Sequence, residues 1–281
     1  MKVYISVDME GVAGVATLDQ IARGGFGYPR AQELMTAEAN AAIQGAFDAG
    51  ATEVLVNDSH GTMDNLLHER LDARARLIFG TPKLDCMAEG ITADHDVALF
   101  IGYHAPAGGP GVLAHTFSAH FGQVRVNGRQ VSEAEVNALQ LAAVGVPLGL
   151  VVGDDVTASL VHREFPGTGT VVVKHSLGWS AANSVSPGQA RALITAAAAE
   201  AVRNAEELTP PTLPDWLVLE VDLPNETAAE LAEAIPGAER TAIRTIRREV
   251  SDPAELLGMI TVLYQLSASA VAARQSMITR R

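Results

Sequence analysis

A run of strand-favouring residues, Val3-Tyr4-Ile5-Ser6-Val7, ends abruptly in Asp8-Met9-Glu10-Gly11. This is the pattern of a short buried strand that carries acid groups at its C-terminal end. The pattern returns downstream. Glu53-Val54-Leu55-Val56 leads into Asn57-Asp58-Ser59-His60-Gly61, and Val97-Ala98-Leu99-Phe100-Ile101 leads into Gly102-Tyr103-His104-Ala105. Strands of this kind alternating with helical stretches build an α/β fold, a largely parallel sheet flanked by helices. In open α/β sheets the carboxyl ends of the strands line the binding crevice. If the three strands are parallel neighbours, Asp8, Glu10, His60 and His104 converge there with no further assumption.

The rest of the chain fits the same scheme. A helix is expected over residues 31–49, closed by Gly50. Residues 75–79 read as a strand, and a loop dense in Gly, Pro and Ala over 106–114 leads directly into His115. Residues 124–131 read as a hairpin around Asn127-Gly128, after which Ser132 caps a helix beginning Glu133-Ala134-Glu135. Residues 148–152 form a further buried strand, followed by Asp154 and Asp155, and Val171-Val172-Val173 gives one more. Ser186-Pro187 opens an Ala-rich helix to about residue 207 by the cap-then-proline pattern. The Pro-rich stretch 209–214 is the clearest linker. Two units are therefore expected: an α/β catalytic domain over 1–207 and a smaller C-terminal β-α-β-α subdomain over 215–281, which contains no histidine.

Composition narrows the partners. Hydrophobic residues are 48% of the 281, enough for a sizeable core, but aromatics are only 5%, so Ala, Val and Leu must fill most of it. A net charge of −13 argues against nucleic acid or an anionic membrane as a partner. Cys86 is the single cysteine, which excludes an intramolecular disulfide and cysteine-based zinc sites. The N-terminus lacks the pattern of a cleaved signal, and no uninterrupted apolar stretch approaches the roughly 18 residues that span a bilayer. A cytoplasmic protein is the expectation. Dinucleotide, phosphate-loop, nucleophile-elbow and His-Glu-x-x-His signatures are all missing.

What remains is metal-type chemistry. In an extended backbone Asp8 and Glu10 would leave the same face, roughly 7 Å apart. Bare, they would repel by about 2 kcal/mol in a medium of intermediate dielectric. A divalent cation between them removes that repulsion. Glu133 sits at a helix start, where the dipole favours any carboxylate, and spacing alone does not choose it over Glu135. Three carboxylates with two imidazoles carry a charge of −3, which two divalent ions exceed by one, leaving room for a hydroxide. Mixed carboxylate and imidazole donors suit zinc, with manganese or cobalt as further options.

Ser6-Val7-Asp8-Met9-Glu10-Gly11, Asn57-Asp58-Ser59-His60, Gly102-Tyr103-His104-Ala105, His115 and Glu133-x-x-x-Asn137 together resemble the DppA-type D-aminopeptidases of the M55 metallopeptidase family. The resemblance runs on through Val152-Gly153-Asp154-Asp155 and Thr209-Pro210-Pro211, so it covers essentially the whole chain. It implies a zinc aminopeptidase with two Zn2+ per chain that hydrolyses short peptides bearing N-terminal D-amino acids by a metal-activated hydroxide. It also implies a homo-oligomer, a ring-stacked decamer. Its metal ligands carry over to Asp8 (bridging), Glu10, His60, His104 and Glu133, and its catalytic histidine to His115. One departure is visible: Ser132 stands where the family has glycine, and serine also caps a helix. Two other classes stay open on the residues alone: a dinuclear hydrolase of another small amide or ester, and a non-catalytic peptide- or metal-binding protein.

Overall fold

The computed structural model describes residues 1–279. In chain order the elements are β1 (Lys2–Val7), α1 (Leu18–Ile21), α2 (Tyr28–Asp48), β2 (Glu53–Asp58), β3 (Arg76–Ile78) and β4 (Val97–Tyr103). The middle of the chain gives β5 (Gln123–Val126), β6 (Arg129–Gln130), α3 (Glu133–Val144), β7 (Leu148–Asp154), α4 (Asp155–Glu164), β8 (Gly169–Gly178), β9 (Ala181–Ser184) and α5 (Pro187–Arg203). The tail holds β10 (Leu217–Asp222), α6 (Glu226–Ala232), β11 (Ala238–Arg240), β12 (Thr245–Val250) and α7 (Pro253–Thr279).

Among the described residues the strands form two sheets. The first has the order β3-β2-β1-β4-β7-β8-β9, parallel throughout except for the β8–β9 hairpin at one edge. Chain direction across it reverses between β1 and β4, which is the topological switch point where such sheets bind ligands. Both faces are covered, so its central strands read as unbroken apolar runs with a hidden period of two. Val3, Ile5 and Val7 face the core shared with Leu34, Ile43, Ile194 and Val202 of α2 and α5, whereas Tyr4 faces the opposite one. Val97, Leu99 and Ile101 of β4 repeat this against Ala98 and Phe100. Each such Val, Leu or Ile contributes about 1.5–3 kcal/mol through burial. Ser186 caps α5 by accepting from Gln189 N at 3.3 Å, with Pro187 at the first helical position, as its sequence requires.

The second sheet has the order β11-β12-β10-β5-β6, and all its pairings are antiparallel. It is not confined to residues 215–281, because the hairpin at Asn127-Gly128 supplies β5 and β6. The physical reason is edge pairing: β10 is half-satisfied by β12 and takes β5 on its other side, Leu219 opposite Val126 and Val221 opposite Val124. The tail is thus a β-α-β-β-α run whose sheet is completed from the middle of the chain. Helix α7 packs against α3, α6, β10 and β12. By length and composition its stretch Pro253–Ser276 could cross a membrane, with a mean hydropathy of 1.6. Leu256, Leu257, Met259, Ile260 and Leu263 are buried in the second core, while Val262 is exposed.

Candidate metal centre

Each of the expected residues is delivered by a different piece of backbone, and each piece is tied down. After β1 the chain does not stay extended; it turns at residues 9–14. Asp8 and Glu10 therefore converge through a turn rather than along one strand face. Asp8 N donates to Ile101 O at 2.8 Å and Gly11 N to Gly102 O at 2.7 Å, which fastens this turn to the end of β4. The approach is so close that a Cβ at Gly11 would lie 2.1 Å from Tyr103 O. Gly102, at φ +74°, faces Asp8 O in the same way. From below, the buried Lys174 ammonium donates to the carbonyls of Glu10, Val12 (3.0 Å) and Val15 (2.6 Å).

His60 follows β2, where Ser59 N donates to Val7 O at 2.8 Å. Its loop is folded around the Asp58 carboxylate, which accepts from Asn65 N (2.6 Å), Leu66 N (2.7 Å) and Asn65 Nδ2 (2.8 Å). His104 follows β4. Asp154, at the end of β7, stays out of the cluster: it caps α4 through Thr157 N (2.8 Å) and holds Val112 N (2.8 Å) in the loop leading to His115. The choice between Glu133 and Glu135 is settled by capping. Ser132 N donates to Glu135 Oε2 at 2.8 Å and Glu135 N to Ser132 Oγ at 3.3 Å, a reciprocal box that ties up Glu135. Glu133, two positions earlier, points into the cluster.

There the side chains interlock. His60 Nδ1 lies 2.9 Å from Glu10 Oε2 and 3.4 Å from Asp8 Oδ1. His104 Nε2 lies 3.3 Å from Asp8 Oδ2 and 3.2 Å from Glu133 Oε2. Asp8 thus stands between two imidazoles, one oxygen toward each. His115 stacks on His104 with ring centroids 4.2 Å apart, and its Nε2 is 3.9 Å from Glu10 Oε1 and 3.8 Å from Glu133 Oε1. Donor atoms of Asp8, Glu10 and His104, and again of His104, His115 and Glu133, fall within 4.8 Å of one another.

The outward nitrogen of each of these three histidines is spoken for by a backbone carbonyl. His60 Nε2 contacts Ile21 O (2.9 Å), His104 Nδ1 contacts Ala105 O (3.0 Å) and His115 Nδ1 contacts Leu113 O (2.9 Å). A carbonyl only accepts, so these nitrogens carry the proton, and in the neutral rings the inward nitrogens present lone pairs. Burial disfavours the charged form of His60, but Glu10 and Asp8 hold its pKa well above the ordinary value. His104 is likewise raised, by Glu133 and Asp8 against burial. Burial pushes Asp8 up, yet His104 and His60 outweigh it and hold the carboxyl at about 2. Even so, Asp8 Oδ2 and His104 Nε2 are buried without a hydrogen bond, although they are within ion-pair distance of each other. Orphaned buried groups of this kind call for a partner. Carboxylate oxygens and imidazole nitrogens that face one another unbonded are a donor set for a divalent ion such as zinc.

Asp8, Glu10, His60, His115 and Glu133 line a cavity of ≈ 360 Å³ whose apolar walls come from Leu18, Ile21, Phe117, Trp179, Ile260 and Tyr264. Strand-end logic brings Asp8, Glu10, His60 and His104 together and the structure agrees. It does not reach Trp179 in the β8–β9 turn, Lys83 in the irregular stretch after β3, or the α7 wall. Their local sequence is that of ordinary loop and core helix and offers no signal for them.

Comparison with known proteins supplies the family. The family model for peptidase M55, D-aminopeptidase, matches residues 1–262. A curated relative, the D-aminopeptidase of Bacillus subtilis (strain 168), is 38% identical over 268 residues, which is 95% of this chain and 98% of the relative. The solved structure of the Zn-dependent D-aminopeptidase DppA from Bacillus subtilis, a self-compartmentalizing protease, superposes with a TM-score of 0.92 at 38% identity, covering 95% of this chain and 98% of its own. The chain is a member of the M55 peptidase family, that of the D-aminopeptidases.

Proposed function

We propose that this chain is a dinuclear zinc aminopeptidase that removes N-terminal D-amino acids from short peptides. The observation that carries the reading is the position of Asp8, one carboxylate oxygen toward His60 and the other, buried and unbonded, toward His104. Asp8 would bridge two ions, with Glu10 and His60 holding one and His104 and Glu133 the other. Zinc held there supplies Lewis acidity, polarising a scissile carbonyl and acidifying water. The related enzyme's zinc dependence and its name as a D-aminopeptidase support the metal and the substrate class.

His115 has a separate role. With Nδ1–H committed to Leu113 O, Nε2 is the atom that takes a proton from the attacking water and returns it to the leaving amine. One water is added across the peptide bond, releasing the N-terminal amino acid and a shortened peptide. The stacked His104 ring fixes the plane in which His115 works, and apolar side chains line the cavity beside it. We also propose a closed homo-oligomer, a decamer, that admits only short peptides. The self-compartmentalizing assembly of the related structure supports this, and exposed Phe26, Leu84 and Leu177 offer apolar surface for another copy to cover.

Metal analysis of active protein tests the core of the reading: two ions per chain are expected, Asp8→Ala should lose both, and His60→Ala should keep one. Full activity with fewer than two ions overturns the dinuclear site. Faster hydrolysis of L-Ala-L-Ala than of D-Ala-D-Ala overturns the stereochemical assignment. Solution scattering should report the closed oligomer, and a monomer, or efficient attack on denatured casein, contradicts it.

A further inference from the structure

Besides the acidic cluster, the cavity wall carries two cations, Arg23 and Lys83. Arg23 is exposed and already paired with Asp64. Lys83 is different. It is only 8% exposed, and its ammonium donates to Asn57 Oδ1 and to Asp58 O at 2.6 Å. Both acceptors are uncharged. Among the described residues no carboxylate lies within 4.0 Å of Lys83 Nζ. An ammonium has three N–H donors, so one is left for whatever fills the cavity. The other buried lysine, Lys174, gives all three of its bonds to carbonyls and is not part of the cavity wall.

Burial depresses the Lys83 ammonium to about 8, which leaves it mostly charged at neutral pH. Asp58 and Glu89 act on this ammonium through space, but no carboxylate is in contact with it, so a buried cation in a cavity wall with a donor to spare is a site for an anion. A short peptide brings one. It is a zwitterion with an ammonium at the end to be cleaved and a carboxylate at the other, and this cavity is lined both by the carboxylates of Asp8, Glu10 and Glu133 and by a cation with no carboxylate in contact. Asn57 fixes the arrangement. Its Nδ2 donates to Met87 O at 2.9 Å while its Oδ1 receives Lys83, so the segment bearing the lysine is docked on the end of β2, close to His60.

We infer that Lys83 binds the C-terminal carboxylate of the peptide substrate and thereby selects short peptides with a free carboxyl terminus. The inference rests on the aminopeptidase reading above and goes beyond it, because it assigns the exclusion of long chains partly to recognition inside each subunit. A chain of many residues cannot present its carboxylate to Lys83 while its N-terminus is at the metal centre.

The test compares metal-loaded enzyme on D-Ala-D-Ala and on its C-terminal amide. Wild type should favour the acid in kcat/KM by roughly 10–100-fold, the worth of one charge-assisted hydrogen bond in a desolvated site. Lys83→Met should bring that ratio close to one, mainly through KM for the acid, with metal content unchanged. Arg23→Gln should keep the wild-type ratio. A wild-type ratio near one overturns the inference and needs no variant, so it holds even if Lys83→Met fails to fold. So does a ratio that responds to Arg23→Gln and not to Lys83→Met. A preference for an acidic N-terminal side chain whichever terminus follows would also overturn it, by making Lys83 a side-chain reader. Hydrolysis of neither substrate refutes the aminopeptidase reading itself, whereas hydrolysis of both at equal efficiency refutes only the role of Lys83.

Discussion

Gly11→Ala is the most informative single perturbation of this site, because it moves two ligand-bearing loops without touching a ligand. The added methyl would meet backbone only: Tyr103 O at 2.1 Å, Gly102 C at 2.4 Å and Gly102 O at 2.6 Å. No flexible side chain can swing aside. Restoring an ordinary carbon–oxygen contact requires the two backbones to separate by about 1 Å. That breaks the Gly11 N to Gly102 O bond, worth about 1 kcal/mol, and adds an overpacking strain of about 1–3 kcal/mol. A loss of about 2–4 kcal/mol in a chain of this size lowers Tm by roughly 3–7 °C. The same separation pulls Asp8 and Glu10 away from His104. A misplacement of about 1 Å is enough to lower kcat/KM by roughly 100-fold. Calorimetry, a competing chromophoric chelator and steady-state kinetics with D-Ala-D-Ala give the three readouts. Gly258→Ala is the control, since a methyl there meets nothing within 4 Å and a helix interior gains up to about 1 kcal/mol from alanine. Wild-type Tm and metal affinity in Gly11→Ala would refute the claim that this contact sets the spacing of the centre.

Other substitutions and conditions separate the roles of neighbouring groups. His115→Ala should retain its metal and lose roughly 10²–10⁴-fold in kcat, the range of a lost general acid–base, with KM little changed; metal loss in that variant would make His115 a ligand. The raised pKa values of His60 and His104 mean that metal must displace their protons, so chelator competition should find tighter zinc binding at pH 8 than at pH 6. Equal affinity at both would contradict the protonated metal-free state. Burial raises the Glu38 carboxyl to about 7, so the stability it contributes is complete below its unfolded value near 4.5 and is lost as pH rises through 7. Glu38→Gln should therefore be more stable than wild type by about 3 kcal/mol at pH 8 and indistinguishable from it near pH 4, as denaturant melts will report.

How much of this was legible in the sequence depends on the kind of signal each residue carries. Asp8, Glu10, His60 and His104 were legible because a parallel sheet sends the C-terminal ends of neighbouring strands to one edge, and strand ends are visible as the points where apolar runs stop. Glu133 was only half legible. Two acids sit in the first turn of α3, and which one faces the cavity depends on the reciprocal bonds between Ser132 and Glu135. The composition of the second sheet was not legible, since pairing between β5 and β10 joins residues nearly a hundred positions apart and neither strand announces its partner. Lys83, Trp179 and the Ile260–Tyr264 wall belong to segments whose local pattern is that of ordinary loop or core helix, and only the tertiary fold turns them toward the cavity.

The backbone itself carries a further mark of the site. Among the described residues, five that are not glycine have positive φ: Met63, Cys86, Leu113, Phe117 and Asn127. Asn127 lies in the Asn-Gly turn, where that conformation is expected. The other four all line the cavity. Each costs roughly 1–2 kcal/mol relative to an unstrained conformation, and each aims a backbone group at a residue the site needs. Phe117 N donates to Glu133 Oε1 at 2.5 Å, and Met63 N to His60 O at 2.7 Å. Leu113 receives the His115 imidazole on its carbonyl while its N–H is held by Trp179 O at 2.7 Å. Cys86 N donates to Lys83 O at 3.2 Å, and its carbonyl accepts from Asn57. Packing elsewhere in the two cores has to offset this strain. Its concentration around one cavity ties together the acidic cluster, His115 and Lys83, residues that come from distant parts of the chain, as parts of a single preorganised site.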